Sequence, residues 1–158
     1  MKTFNDNAGR TWTVAINVDA IKRVRSLAGV NLLEAVEGTL LEKLVSDPVL
    51  LCDAIYAVCK PEADRLNISD QDFGRSMAGD AIDLATTALL EELVDFFPKA
   101  RRELLGKALA KLRKLESMAL AAAGQRLDSP EMESRLQEVI AGGLSGNSPG
   151  SPESPPAP

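Results

Sequence analysis

The sequence contains no histidine, so the commonest proton-transfer group of enzymes is absent. The Ser–His and Cys–His nucleophile pairs are excluded with it. No glycine-rich phosphate loop is present, and the carboxylates of Asp80 and Asp83, one helical turn apart, have no further ligands beside them. We therefore expect a protein that is not an enzyme and that holds neither a metal ion nor a cofactor.

Cysteine is also scarce, and long apolar runs are missing. Cys52 and Cys59 lie seven residues apart in a predicted helix, which separates their backbones by about 10.5 Å. A disulfide spans at most roughly 7 Å, so both thiols are predicted to be reduced. The chain shows no apolar signal core near Met1 and no run of about 18 apolar residues. We expect a soluble cytoplasmic protein without membrane contact.

Aromatic residues make up only 4% of the chain, whereas Ala and Leu are abundant. Unbranched side chains lose little rotamer freedom in a helix, so the composition favours a mainly α (α+β) fold. We predict an N-terminal β-hairpin over residues 1–18 and a helical body over 19–123, within a compact bundle of about five to seven helices. A short C-terminal helix over 124–143 and a disordered Pro- and Ser-rich tail over 144–158 complete the prediction.

The hairpin is predicted by a turn-forming cluster from Asn5 to Gly9. After this turn, Trp12, Val14 and Ile16 alternate with polar or small residues, which is the period of a half-buried strand. An isolated hairpin is marginal in water, so its Trp12 face must pack on the helices or join another sheet edge. Under the second alternative, Trp12, Val14 and Ile16 are candidate oligomerisation residues of a homo-oligomer.

Proline and capping residues mark helix ends in the body. Ser46 or Asp47 followed by Pro48 predicts a helix start, because the side-chain oxygen of either residue can accept an orphan N–H where the proline has none. Pro61 predicts a stop or kink near residues 59 and 60, since the residue before a proline is pushed out of the helical region. In the preceding helix, three basic residues are predicted to face water: Lys22, Arg23 and Arg25.

The strongest local signal surrounds Ser69. Ser69 and Asp72 approximate a capping box, while Ile68 and Phe73 occupy the two positions of a hydrophobic staple. A helix is therefore predicted to begin here and to pass or break at Gly79. Beyond Gly79, apolar residues recur at helical spacing on one face, at Ile82, Ala85, Leu89, Leu93 and Phe96.

A long basic helix is predicted from Lys99 to Ala123, with its inward side formed by Leu105, Ala108, Leu109, Leu112, Leu115, Ala119 and Ala122. Between Asp47 and Phe97 eleven residues are acidic and three are basic, whereas between Pro98 and Glu116 seven are basic and two are acidic. We interpret these as complementary solvated faces of neighbouring helices. Nucleic-acid binding by the basic helix is the alternative, which the nearby acidic residues disfavour because they repel phosphates.

The adjacent aromatic residues Phe96 and Phe97 cannot both face one core from the same helix. Either both are packed where the helix meets Pro98, or one of them contributes to an apolar patch for a partner helix.

Three segments of the chain resemble the tail assembly chaperones of long-tailed bacteriophages and prophages: DPVLLCDAIYAVCKP, NISDQDFGRSMAGD and ALLEELVDFFP. Proteins of this family place a small β-element before a helical body that has a DP-led helix, a short S-x-x-x-F segment and a helix ending in aromatics. The resemblance extends roughly from Phe4 to Leu115.

The resemblance implies a non-enzymatic protein in the cytoplasm of the bacterial host. Such a protein coats the long helical tape measure protein, helps to recruit tail tube subunits and leaves the finished particle. It implies a partner-binding surface around Leu89, Leu93, Phe96 and Phe97. Two alternatives stay open, namely a structural tail component retained in the particle and a small helical regulator that binds nucleic acid.

Overall fold

The fold is mainly helical and begins with a β-hairpin, as the sequence predicts. The computed structural model describes residues 1–145. Its strands are β1 (Lys2–Asn5) and β2 (Thr11–Val14), and its helices are α1 (Val18–Ala28), a 3-10 helix (Leu32–Glu37), α2 (Leu40–Ser46), α3 (Pro48–Arg65), α4 (Asp70–Arg75), α5 (Asp80–Phe96), α6 (Lys99–Leu127) and α7 (Pro130–Ser145). None of these helices in residues 1–145 has both the length and the apolar character needed to cross a bilayer.

The chain forms two compact units, of which the first is Met1–Arg113 and the second begins at Lys114. The first unit holds the hairpin, α1 to α5 and the start of α6, and the second holds the rest of α6 together with α7. The predicted boundary between residues 123 and 124 falls inside α6. Leu112 is the last α6 side chain packed against the core.

The C-terminal helix differs from its predicted bounds of 124–143. Gly124 lies within α6, and α7 begins at Pro130, after Ser129 has capped it by accepting the N–H of Met132 at 3.3 Å. The tail predicted over 144–158 overlaps α7, which continues to Ser145. The remainder of that prediction, residues 146–158, lies outside the described residues.

The hairpin is held by its turn and by the helices beneath it. Phe4 lies opposite Trp12 in the antiparallel register. One carboxylate oxygen of Asp6 accepts the backbone N–H groups of Ala8 at 2.9 Å and Arg10 at 3.0 Å, and Gly9 has φ +78°, a conformation that suits glycine. The turn therefore forms as its composition predicts, with Asp6 as its internal hydrogen-bond acceptor.

The apolar face of the hairpin closes the core of the first unit. Trp12 and Val14 are completely buried. The Trp12 ring packs edge-on against Phe73 with ring centroids 5.1 Å apart, and Tyr56 lies 5.4 Å from the same ring of Phe73. Strand β1 packs on α5 and β2 packs on α3. The hairpin thus packs on the helices of its own chain, which is the first of the two alternatives.

Helix α3 continues through Pro61 to Arg65, so of the predicted stop or kink near residues 59 and 60 the stop does not occur. Pro61 has no N–H for the carbonyl of Ala57, four residues earlier. Arg23 of α1 supplies that bond, because its Nε donates to the Ala57 oxygen at 2.8 Å and its Nη2 donates to the Val58 oxygen at 3.0 Å. Arg23 was predicted to face water, yet its side chain is only 22% exposed. A guanidinium from a neighbouring helix therefore compensates for the proline.

The capping signals are confirmed in detail. Asp47 accepts the N–H groups of Val49 at 3.0 Å and Leu50 at 3.1 Å at the start of α3. Ser69 accepts the N–H of Asp72 at 3.1 Å, and its hydroxyl donates to the Asp72 carboxylate at 2.8 Å. The hydrogen bond from the Ser69 hydroxyl is the largest influence that lowers the pKa of Asp72. Helix α4 then ends well before Gly79.

Substituting Ser69→Ala is expected to lower the free energy of unfolding by about 1 kcal/mol, because the N–H of Asp72 loses its acceptor. Urea unfolding followed by circular dichroism measures this change. Ser26→Ala, at an exposed position within α1, serves as the control and is expected to change stability by less than about 0.5 kcal/mol. Equal midpoints for the two variants would show that Ser69 does not cap α4.

Candidate functional site

The partner surface implied by the resemblance lies inside the core. Leu89 and Leu93 are completely buried and Phe97 is 3% exposed, while Phe96 is half-buried. Phe96 and Phe97 pack edge-on with ring centroids 5.3 Å apart. These four side chains do not form an exposed surface, because the hairpin and neighbouring helices cover this face of α5. Both aromatic rings are packed where α5 meets Pro98.

The candidate oligomerisation residues are also covered. Trp12 and Val14 are completely buried, and the Trp12 indole N–H donates to Asp6 at 2.8 Å. Ile16 is half-buried and lies beyond β2, which ends at Val14 rather than continuing to Val18. The side chains that were expected to contact a second copy therefore contribute to the core of the first unit.

A different set of large apolar side chains is exposed, and it belongs to the second unit. Their exposed fractions range from 52% to 83%. We call this set the C-terminal apolar surface; it comprises Leu115, Met118, Leu120 and Leu127 on α6 and Leu136, Val139, Ile140 and Leu144 on α7. Leu115 was predicted to face inward, together with Ala108, Ala119 and Ala122, and all four are exposed. Only Leu105 and Leu109 of α6 are fully buried.

The segment of α6 in the second unit has the composition of a buried helix. From Lys114 to Leu127 it carries charge only at Lys114, Glu116 and Arg126. A helix that is apolar around most of its circumference is normally covered by other elements. Here no other element of the described chain covers Leu115, Met118 or Leu120, which are 53%, 58% and 69% exposed.

Helix α7 adds an amphipathic face to this surface. Leu136, Val139 and Ile140 follow half-buried Met132 at spacings that place all four on one side of the helix. Helices of this length gain most of their stability in proteins by packing such a face. Since Leu136, Val139 and Ile140 are 52%, 72% and 64% exposed, the face is available for a partner.

In the described part of the chain, most basic side chains of α6 form no ion pair with the acidic residues of α5. Within residues 1–145 the structure shows one ion pair from α6 to α5, in which Arg113 lies 3.7 Å from Glu91. Glu91 also contacts Lys2 at 3.1 Å, and the hydrogen bond between them raises the pKa of that lysine. Lys107 and Lys111 are exposed. The basic side of α6 is therefore available to an acidic partner.

A cleft of about 340 Å³ lies between the start of α3 and α4, lined in part by Cys52, Phe73 and Met77. Burial, with smaller contributions from Asp70 and Asp47, raises the pKa of Asp53 at its rim. Burial also raises the pKa of Cys52, and it raises that of Cys59, outside the cleft, to about 12. Both thiols are thus held in the protonated, weakly nucleophilic form.

The carboxylates do not assemble into a metal site in the described part of the chain. No group of three or more Cys, Asp or Glu side chains in residues 1–145 has the arrangement needed to hold a metal ion. Asp80 and Asp83 both lie in the first turn of α5 and are exposed. At that position their negative charges interact favourably with the positive end of the helix dipole.

No family model, curated protein or solved structure matches this chain. The C-terminal apolar surface is therefore the candidate functional site on the strength of its exposure and composition. A sequence signal for it was present, since the segment from Lys114 to Leu127 has few charges on any side. It was interpreted as core because an apolar helical stripe normally packs against the same domain.

Proposed function

We propose that this protein is a non-enzymatic phage tail assembly chaperone that binds the tape measure protein and helps to recruit tail tube subunits. The observation that carries the proposal is the C-terminal apolar surface, whose eight large side chains are each at least 52% exposed. The three resembling segments between Asp47 and Pro98 support the same function. The assignment to a bacteriophage rests on that resemblance.

The surface suits a partner that is itself helical. Its side chains recur at helical spacing on α6 and α7, which is the arrangement used when an amphipathic helix packs into an apolar groove. Full burial of a large apolar side chain contributes roughly 1.5–3 kcal/mol, and these side chains have between 52% and 83% of their area still to bury. Association loses an estimated 4–15 kcal/mol of molecular freedom. The two quantities are of the same order, which favours the reversible binding that a departing chaperone requires.

The proposal predicts that co-expression with the tape measure protein keeps that protein soluble. Introducing Leu136→Asp together with Ile140→Asp is expected to reduce the soluble tape measure protein by about tenfold, because two charges would have to be buried in the contact. Sedimentation of cell lysates followed by quantitative blotting measures this fraction.

A matched control exists in the first unit. Leu84 on α5 is 52% exposed, the same fraction as Leu136, so Leu84→Asp matches the Leu136→Asp half of the double substitution in charge and exposure. It is expected to leave the soluble fraction unchanged. An equal loss with Leu84→Asp, or no loss with the double substitution, would contradict binding through the C-terminal apolar surface. Mass spectrometry of purified particles tests the chaperone role, which requires that mature tails lack this protein.

A further inference from the structure

Helix α6 carries a stripe of five apolar side chains and one lysine that the core does not use. It consists of Leu104, Ala108, Lys111, Leu115, Met118 and Ala122, which we call the α6 seam. Successive members are separated by four, three, four, three and four residues. This alternation is the 3.5-residue repeat of a coiled-coil contact. The side chains of α6 that pack against the core are different ones, namely Leu105, Leu109 and Leu112.

All six positions of the α6 seam are exposed. Leu104 and Met118 are each 58% exposed and Leu115 is 53% exposed. Packing of α6 on the first unit does not require a seam on this side, because Leu105 and Leu109 are already buried there. The regular spacing therefore fits a second helix lying along α6.

The charged side chains in and beside the α6 seam indicate which charge the partner helix carries. Lys111 occupies a core position of the repeat, and Lys107 and Lys114 lie at its flank. All three lysines are exposed, and within the described residues none forms an ion pair with a carboxylate. The acidic residues of α6 in this region, Glu103 and Glu116, fall at repeat positions outside the core and flanks of the seam. A partner helix must therefore be acidic beside its apolar residues.

Two partners available from this chain fit less well. Pairing of two α6 seams would bring Lys111 and its flanking lysines towards the same lysines of the second copy, and such like charges repel. Helix α7 has the required apolar face, but the charges beside that face are Glu133 on one side and Arg135 on the other, so they cancel. Neither complements a flank that carries Lys107 and Lys114.

We infer that the α6 seam binds an acidic amphipathic helix with apolar residues at the same 3.5-residue spacing and a Glu or Asp opposite Lys111. This inference rests on the proposed function, in which that helix belongs to the tape measure protein. Ala108 and Ala122 leave room for large side chains of the partner at two core positions, which adds a steric preference to the charge preference.

The test uses the full chain and two designed peptides of about three heptads each. Both peptides carry Leu at the core positions; the acidic peptide has Glu at every flanking position and opposite Lys111, and the basic peptide has Lys at those places. Like-charge repulsion keeps each peptide from pairing with itself. Fluorescence anisotropy at about 0.1 M salt is expected to show the acidic peptide binding about tenfold more tightly than the basic one.

Two substitutions locate the binding site. Lys111→Glu is expected to remove the preference for the acidic peptide, whereas Lys22→Glu, which places the same charge change at an exposed position on α1, is expected to preserve it. Leu115→Asp is expected to abolish binding of both peptides. Equal binding of the two peptides to the unmodified chain, no binding of either, or an unchanged preference in Lys111→Glu would each overturn the inference. Sedimentation showing pairing of two copies through Leu115 would overturn it as well.

The outcome also separates this inference from the proposed function. If the chain retains the tape measure protein in solution while Lys111→Glu leaves the peptide preference unchanged, the α6 seam is refuted and the chaperone role survives. If the acidic peptide binds at the seam but the tape measure protein stays insoluble, the chaperone role fails and the seam remains a site for an acidic helix.

Discussion

Asp6→Ala is expected to lower the free energy of unfolding by about 3–5 kcal/mol. The Asp6 side chain is completely buried, and one of its oxygens accepts hydrogen bonds from Trp12 Nε1 at 2.8 Å, Arg10 Nε at 2.8 Å and Ser76 Oγ at 3.1 Å. Its other oxygen holds the backbone of the hairpin turn. Removing the carboxylate leaves the buried indole N–H of Trp12 without its acceptor, which costs more than the loss of an exposed pair.

A contrasting substitution tests this reasoning. Asp64 pairs with Lys60 one helical turn away, and its side chain is 61% exposed. Asp64→Ala is therefore expected to change stability by less than about 1 kcal/mol. Urea unfolding of the full chain measures the change in the free energy of unfolding for both variants. Similar losses for Asp6→Ala and Asp64→Ala would show that the buried network contributes no more than a surface ion pair.

The same network predicts a pH dependence of stability. Burial is the largest single influence on Asp6 and favours its neutral form, but the hydrogen bonds from Trp12, Arg10 and Ser76 together outweigh it and lower the pKa of Asp6 below its ordinary 3.8. The folded state thus binds the proton more weakly than the unfolded state. Ionised Asp6 therefore stabilises the folded state above about pH 4. This stabilisation is lost as the pH falls through the lower pKa that Asp6 has in the folded state. The Asp6→Asn variant should therefore lose less stability than the unmodified protein when the pH is lowered into this range.

Arg23→Ala is expected to lower the free energy of unfolding by about 2–3 kcal/mol. Its guanidinium donates to the carbonyls of Ala57 and Val58, the first of which lacks an N–H partner because residue 61 is proline. The substitution leaves both carbonyls without this donor. Arg25→Ala is the control on the same helix, because within residues 1–145 the exposed Arg25 bonds only the side chain of Asn31, at 2.8 Å. It is expected to cost less than about 0.5 kcal/mol.

A double-mutant cycle shows whether Arg23 acts through Pro61. Pro61→Ala restores an N–H that can donate to Ala57, so it should stabilise the Arg23→Ala variant by about 1 kcal/mol more than it stabilises the unmodified protein. Additive effects of Arg23→Ala and Pro61→Ala would contradict the compensation, even if each single substitution is destabilising.

Features that depend on neighbours in sequence were predictable. Asp47, Ser69 and the turn around Gly9 each satisfy backbone groups within four residues, so their chemistry is visible in a short stretch of sequence. The same holds for the faces of the hairpin, since alternating residues must place Trp12 and Val14 on one side. The mainly helical fold was predicted from the abundance of Ala and Leu and from apolar residues at helical spacing.

Features that depend on distant residues were not predictable in the same way. Proline at position 61 signals a helix end unless an outside donor is supplied, and Arg23 lies 34 residues from the carbonyl that it serves. The spacing of Leu89 and Leu93 identifies a face of α5 but does not say whether the hairpin covers it. For Leu115 the error was the reverse, because an apolar stripe was interpreted as core where the described chain provides no covering element.

The bond between Asp6 and Ser76 has a consequence for synthesis, because it joins residues 70 positions apart. A ribosome adds about 5–20 residues per second, so Asp6 waits roughly 4–14 s before Ser76 has been added. Strand β1 waits longer still for α5, on which it packs. During that interval Trp12 has neither its hydrogen-bond network nor its covering helices complete. The first unit therefore closes late in translation, when its N-terminal strand is joined by helices made tens of residues afterwards.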